Sequence, residues 1–181
     1  MSIAAGVRCA DIDAWLGGDS PVVRAMPNTP ALVQTGATAL FANASVDEAQ
    51  RNLAETILRA VGMVVWLDDE QDMNTVTAIS GSGPAYFFLT MEAMQTAGES
   101  MGLDARTARL LTLETALGAA RMALESADDV GDLKRRVTSP GGTTAAALNE
   151  LESGDLAALY RRALNAAGRR ADELGRELGD Q

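Results

Sequence analysis

"SVDEAQRNLAETILRAVGMVVWL", residues 45–67, holds a helix and a strand back to back. Ser45 and Glu48 fit a capping box, Leu53, Ile57, Ala60 and Val61 recur at helical spacing, and Gly62 suits the stop. The run from Met63 to Leu67 is β-rich and apolar, with two valines and a tryptophan, and reads as a strand. On its N-terminal side, "SIAAGV" (2–7), "PVVRAM" (21–26) and "ATALFA" (37–42) also read as strands. Strand, helix and strand in that order predict a mostly parallel sheet with helices on its faces.

On the C-terminal side the strand signal stops. Residues 84–101, 104–125, 143–152 and 155–178 read as helices, separated by "GLD", "SADDVGDLKRRVTSPGG" and "SGD". The expected architecture is therefore α/β followed by all-α, with one domain over 1–67 and a helical one over 68–181. In the helix over 104–125, alanines and Gly118 accompany Leu110, Leu111, Leu113, Leu117 and Leu124, so it is apolar nearly all round. Such a helix needs cover on several sides, and a second copy of the chain is the expected cover. The last helix mixes Arg161, Arg162, Arg169, Arg170 and Arg176 with Asp172, Glu173 and Glu177, the pattern of a solvated face.

Composition removes several classes of function. Of 181 residues 47% are hydrophobic and 22% charged, enough to bury a core and too apolar for disorder. The net charge of −10 and the absence of a basic patch argue against nucleic acid. There is no histidine, so the commonest acid–base group and metal ligand is missing. Cys9 is the only cysteine, which excludes an internal disulfide and a thiolate metal cluster and makes this residue a small apolar filler. No signal peptide and no membrane-length apolar run is found, and a cytoplasmic location is expected. Neither G-x-G-x-x-G nor a P-loop occurs, so either the fold is smaller than the sheet pattern suggests or this is the later portion of a longer protein.

Three loops have the residues for chemistry. "MPNTP" (26–30) follows a strand, where open α/β sheets place ligands, and offers Asn28 and Thr29 between prolines. "ISGSGPAYFF" (79–88) pairs Ser80 and Ser82 with Gly81 and Gly83, and Pro84 suits the first turn of a helix whose aromatics are expected in the core. A glycine-rich helix cap and a ligand loop both fit it. "TSPGGTT" (138–144) enters a helix through a turn able to aim successive N–H groups at one point, where the helix terminus adds partial positive charge. With Lys134 the only lysine, that anion site suits a carboxylate better than a polyphosphate. Hydroxyls and backbone amides without histidine suit a reaction that needs positioning, such as hydride transfer from a cofactor.

"RAMPNTPALVQTGATAL" (24–40), "VTAISGSGPAYFF" (76–88) and "DLKRRVTSPGGTTAAALNELESG" (132–154), with the alanine-rich helix between them, resemble pyrroline-5-carboxylate reductase. The resemblance runs from the first strand to about residue 165. It implies a Rossmann-like sheet, here its later part, followed by an all-helical dimerisation domain, in dimers that assemble further into decamers. It implies reduction of 1-pyrroline-5-carboxylate to proline with NADPH or NADH. Carried over residue by residue, Ser139, Gly141, Gly142, Thr143 and Thr144 would bind the substrate carboxylate, with Thr144 as the catalytic residue on the ring nitrogen. Ser80, Ser82 and nearby Thr77 would form a wall of the pocket. Ala4, Ala5, Gly6, Pro27, Asn28 and Thr29 would lie beside the nicotinamide, with the carboxylate loop supplied by the partner subunit.

Two alternatives stand beside that reading. One is a truncated, non-catalytic dimerisation module of the same family, since the glycine-rich phosphate turn is absent from the sequence. The other, a β-hydroxyacid dehydrogenase, is set aside because residues 84–101 lack the lysine those enzymes carry on the helix after their glycine-rich loop.

Overall fold

A computed structural model describes residues Met1–Gly179. Three strands form one sheet in the order β1 (Val23–Met26), β2 (Gly36–Ala42), β3 (Gly62–Trp66). Eight α-helices occur among the described residues: α1 (Cys9–Trp15), α2 (Glu48–Arg59), α3 (Asp72–Val76), α4 (Gly83–Ser100), α5 (Ala105–Glu125), α6 (Val130–Arg136), α7 (Thr143–Ser153) and α8 (Leu156–Gly179). None of them is long and apolar enough to cross a membrane. The described chain divides into two compact units: Met1–Ala85 with the segment from Arg161, and Tyr86–Tyr160.

In the first unit β2 and β3 pair in parallel, from Gly36↔Gly62 to Leu40↔Trp66, as a crossover through α2 demands. β1 and β2 pair antiparallel, so the sheet is mixed rather than mostly parallel. The link between β1 and β2 holds only a short 3₁₀ turn, Thr29–Val33, and lacks the crossover helix that a parallel return would need. Val23, Ala25, Leu40 and Val64 share the face on which α2 packs through Ala54 and Leu58, and this is the core of the unit.

The helix boundaries after residue 82 follow the sequence closely because their caps do. Asp104 accepts the Thr107 N–H at the start of α5, and Gly102, with φ of 106°, turns the chain after α4. Elsewhere the expectations need correction. Residues 2–7 do not form a strand: only Ser2 bridges to β1, through Ser2 N–H to Val23 O and Ala25 N–H to Ser2 O, both 2.8 Å. Gly6 ends any extension by turning left-handed (φ 82°), with its backbone pressed on α8 where a Cβ would come within 2.9 Å of Gly175 N.

α2 is capped by Asp47 and Gln50 instead of Ser45 and Glu48, two residues later, with Val46 packed on the core just before the entry. Its buried face is Ala54 and Leu58, while Leu53 and Ile57 are exposed. Trp66 sets this rotation: its indole N–H donates to Glu55 at 2.7 Å and Arg51 lies over its ring at 4.1 Å. Within the expected loop over 126–142 lies α6, capped by Asp129, which accepts the Asp132 N–H at 2.8 Å.

The second unit has little core of its own: of its residues only Ala108 and Thr112 are buried. The aromatics expected in the core at the start of α4, Phe87 and Phe88, are about two-thirds exposed, and Leu110, Leu111, Leu117 and Leu124 of α5 are exposed as well. The apolar surround predicted for α5 is thus real, and this chain leaves it uncovered. α8 carries its charges outward as expected, with Arg170 paired to Glu173 and Glu177, and Arg176 to Asp172.

Candidate functional site

"ISGSGP" is neither a loose loop nor a simple cap. Thr77–Gly81 form a π-helical turn that continues α3, and α4 follows after Ser82. Its defining bond runs from Ser82 N–H to Thr77 O at 2.8 Å. Such one-turn insertions are rare and concentrate at functional sites. Thr77 spends its hydroxyl proton on Met73 O (2.8 Å), leaving the oxygen as an acceptor. Gly81 packs on the flexible end of Met26 at the end of β1: a Cβ there would lie 2.4 Å from Met26 Cε, so that methyl would have to turn aside.

The same unit brings "MPNTP" to this turn. Asn28 accepts the Ala37 N–H through Oδ1 at 2.9 Å, and its Nδ2 lies 3.3 Å from both Ser80 O and Ser80 Oγ. Ser80 Oγ in turn donates to Ala37 O at 3.4 Å. The Asn28 amide is thus engaged at both ends, while Thr29 stands exposed. Ala4 and Ala5 are exposed too, and the parallel Ser2–Arg24 bridge sends residues 4–6 along β1 towards the end from which Pro27 leaves. Neither segment carries a charged or bulky side chain. That small, uncharged surface at a strand end fits the neutral ring of a reduced nicotinamide and has no donor set for a pyrophosphate.

In the second unit, "TSPGGTT" links α6 to α7. Gly141 is left-handed (φ 70°), and a Cβ on Gly142, the N-cap of α7, would fall 2.4 Å from Ser139 Oγ and 3.2 Å from Ser139 O, so the Ser139 hydroxyl would have to turn away. No side chain caps α7. Its first amides, at Thr143 and Thr144, are the groups a helix cannot satisfy internally, and they carry the partial positive charge of the terminus. The basic residues nearby are spent: Lys134 bonds Glu152 at 2.9 Å, Arg135 pairs with Asp132 and Arg136 with Asp128. The turn thus presents the uncapped amides of α7 beside cations that are already paired.

Sequence reasoning missed several groups that support these loops. Ala37 acts only through its backbone, and a side-chain pattern holds no trace of it. Arg24 is buried beside Glu70 and lines a cavity of about 650 Å³ with Gly6, Asn74 and Asp172. The cavity's arginines are matched by carboxylates, Arg8 by Asp11, Arg24 by Glu70 and Arg176 by Asp172, so it has no strong pull on an ion. A lone arginine in the apolar run "PVVRAM" was the available signal. Cys9 is buried, and its thiol is pushed up to about 12 by burial first and then by the Glu70 carboxylate, which makes it inert.

Comparison with known proteins converges on one family. Residues 70–174 match the family model described as pyrroline-5-carboxylate reductase dimerisation. The chain is 56% identical over 179 residues to a pyrroline-5-carboxylate reductase of Pseudomonas aeruginosa, covering 99% of this chain and 66% of that protein. It is 46% identical to the one of Pasteurella multocida, covering 96% and 64%. Among solved structures, the pyrroline-5-carboxylate reductase of Coxiella burnetii superposes with a TM-score of 0.92 at 57% identity, covering 96% of this chain and 64% of that one. The pyrroline carboxylate reductase of Plasmodium falciparum with NADP bound superposes at 0.90 and 33% identity, covering 96% and 70%. The chain thus spans just under two-thirds of the length of the first curated relatives it matches.

Proposed function

The chain belongs to the pyrroline-5-carboxylate reductase family, and on that footing we propose that it reduces 1-pyrroline-5-carboxylate to L-proline, the last step of proline synthesis. The observation that carries this reading is the uncapped N-terminus of α7 behind the left-handed Gly141. A substrate carboxylate there accepts from the Thr143 and Thr144 amides, in a turn shaped by Ser139 and Gly142. Thr144, one residue into the helix, hydrogen-bonds the ring nitrogen, holds the plane of the C=N bond and passes on the proton that nitrogen gains. Ser80 and Ser82 of a second copy would form the wall of the pocket, with the Thr77 oxygen there as an acceptor. NADPH or NADH supplies the hydride to the imine carbon when bound, and Ala4, Ala5, Gly6 and Pro27–Thr29 would hold its nicotinamide end.

A second copy of the chain completes the arrangement. The exposed leucines of α5 and aromatics of α4 give the homodimer its interface, and the carboxylate loop of one copy serves the wall of the other. Decamers, as the family resemblance implies, would build on that dimer. The free, buried Cys9 suits the reducing cytoplasm.

The test is proline formation from 1-pyrroline-5-carboxylate with NADPH and with NADH, in the wild-type chain and in Thr144→Ala. Proline formed in step with cofactor oxidation, and a kcat/KM lowered by about 10- to 100-fold in the variant, equal to roughly 1.4–2.8 kcal/mol, support the proposal. Proline binding with no turnover would instead mark a non-catalytic dimerisation module.

A further inference from the structure

A π turn holds its backbone in a wider, less favourable spiral than an α-helix, and it persists where neighbours over-determine it. Here two neighbours do so. Met26 fills the space beneath Gly81, where a Cβ would come within 2.4 Å of its methyl. Asn28 closes a ring of hydrogen bonds over the adjacent residue: Ala37 N–H to Asn28 Oδ1, Asn28 Nδ2 to Ser80 O and Oγ, and Ser80 Oγ to Ala37 O. The ring ties together the exit of β1, the start of β2 and the last part of the π turn. All its members are at most partly exposed, so water competes weakly for these bonds.

We infer that Asn28 is a positioning residue: it sets the π turn through Ser80 and couples the segment assigned to the nicotinamide to the wall assigned to the substrate. The inference rests on the proposed function for what that wall contacts, and on the ring itself for the coupling. An aspartate at this position would keep the acceptor for Ala37 N–H, lose the donor and set a carboxylate against Ser80 O. An alanine would remove both ends of the clip. Ser80→Ala removes the hydroxyl and leaves the carbonyl.

The experiment is amide hydrogen exchange on the full chain, wild type and Asn28→Ala, Asn28→Asp, Ser80→Ala and the Asn28→Ala/Ser80→Ala pair, combined with L-proline titration. The Ser82 amide reports the π turn, and the Leu67 amide, bonded to Leu40 O at 2.8 Å, reports the sheet. Expected are exchange about tenfold faster at Ser82 with Leu67 unchanged in both Asn28 variants, a pair no faster than Asn28→Ala alone, and about tenfold weaker proline binding. Equal acceleration at Ser82 and Leu67, or additive effects of the two substitutions, would overturn the clip. Faster exchange at Ser82 with proline affinity intact would overturn the positioning role. Should the wild type bind no proline, the proposed function fails, and the exchange data alone still decide the clip.

Discussion

Arg24 and Glu70 meet at 2.7 Å, with the Arg24 side chain only 8% exposed and Glu70 also accepting the Cys9 N–H at 2.7 Å. One carboxylate thus anchors the middle of β1 and the first residue of α1. Removing it strands a buried guanidinium. Glu70→Ala should cost about 3 kcal/mol of stability, and Arg24→Met together with Glu70→Leu should recover most of that loss. Chemical denaturation of the three proteins measures both effects.

Cys9 makes a prediction at high pH. Its thiol sits at about 12 in the folded chain because burial opposes the thiolate, against an ordinary value of 9.0. Between those values the unfolded chain gives up the proton and the folded chain keeps it, so the unfolded state binds fewer protons and stability falls as pH rises. The thiol's contribution is whole below pH 9 and declines by about 1.4 kcal/mol per pH unit above it. Stability–pH curves of wild type and Cys9→Ala should diverge in that window alone. Thiol labelling at pH 8 should be slow until the protein unfolds.

What the sequence told and withheld divides along physical lines. The late helices were readable because local residues decide them: Asp104 caps, and Gly102 and Gly142 stop or start. Yet α6 was passed over, since its glycine and charges resemble a loop until Asp129 is recognised as a cap. The "SIAAGV" run has a strand's composition, but composition does not say where pairing ends, and the contact of Gly6 with Gly175 lies far along the chain. The π turn has no local signature at all, because its support comes from Met26, Asn28 and Ala37. The segments "ISGSGP" and "TSPGGTT" were recognisable by their hydroxyls and glycines, whereas the groups that hold them, being backbone atoms or distant side chains, were not.

The left-handed Gly141 gives a direct probe of the carboxylate turn. Alanine at φ 70° costs about 1–2 kcal/mol, and nothing lies near enough to clash, so the effect is conformational. Gly141→Ala should lower stability by about that amount, measured by denaturant titration, and should weaken proline binding at least severalfold. Full affinity in a folded variant would detach the turn from the ligand.

The uncovered helices make the oligomeric state a prediction. Leu117 of α5 is 53% exposed in a unit with almost no core. A second copy should cover it, and Leu117→Glu should convert a stable dimer into a monomer of retained helicity, as followed by sedimentation and circular dichroism. A monomeric wild type, or a variant that stays dimeric, would remove α5 from the interface.

The most direct measurement follows the backbone amides of isotopically labelled protein during titration with L-proline. Substrate recognition at the head of α7 requires saturable shifts at Gly141, Gly142, Thr143 and Thr144, joined by Ser80 to Ser82 with the same dissociation constant. Saturable shifts that leave those amides in place, or no shift anywhere at saturating proline, would contradict it.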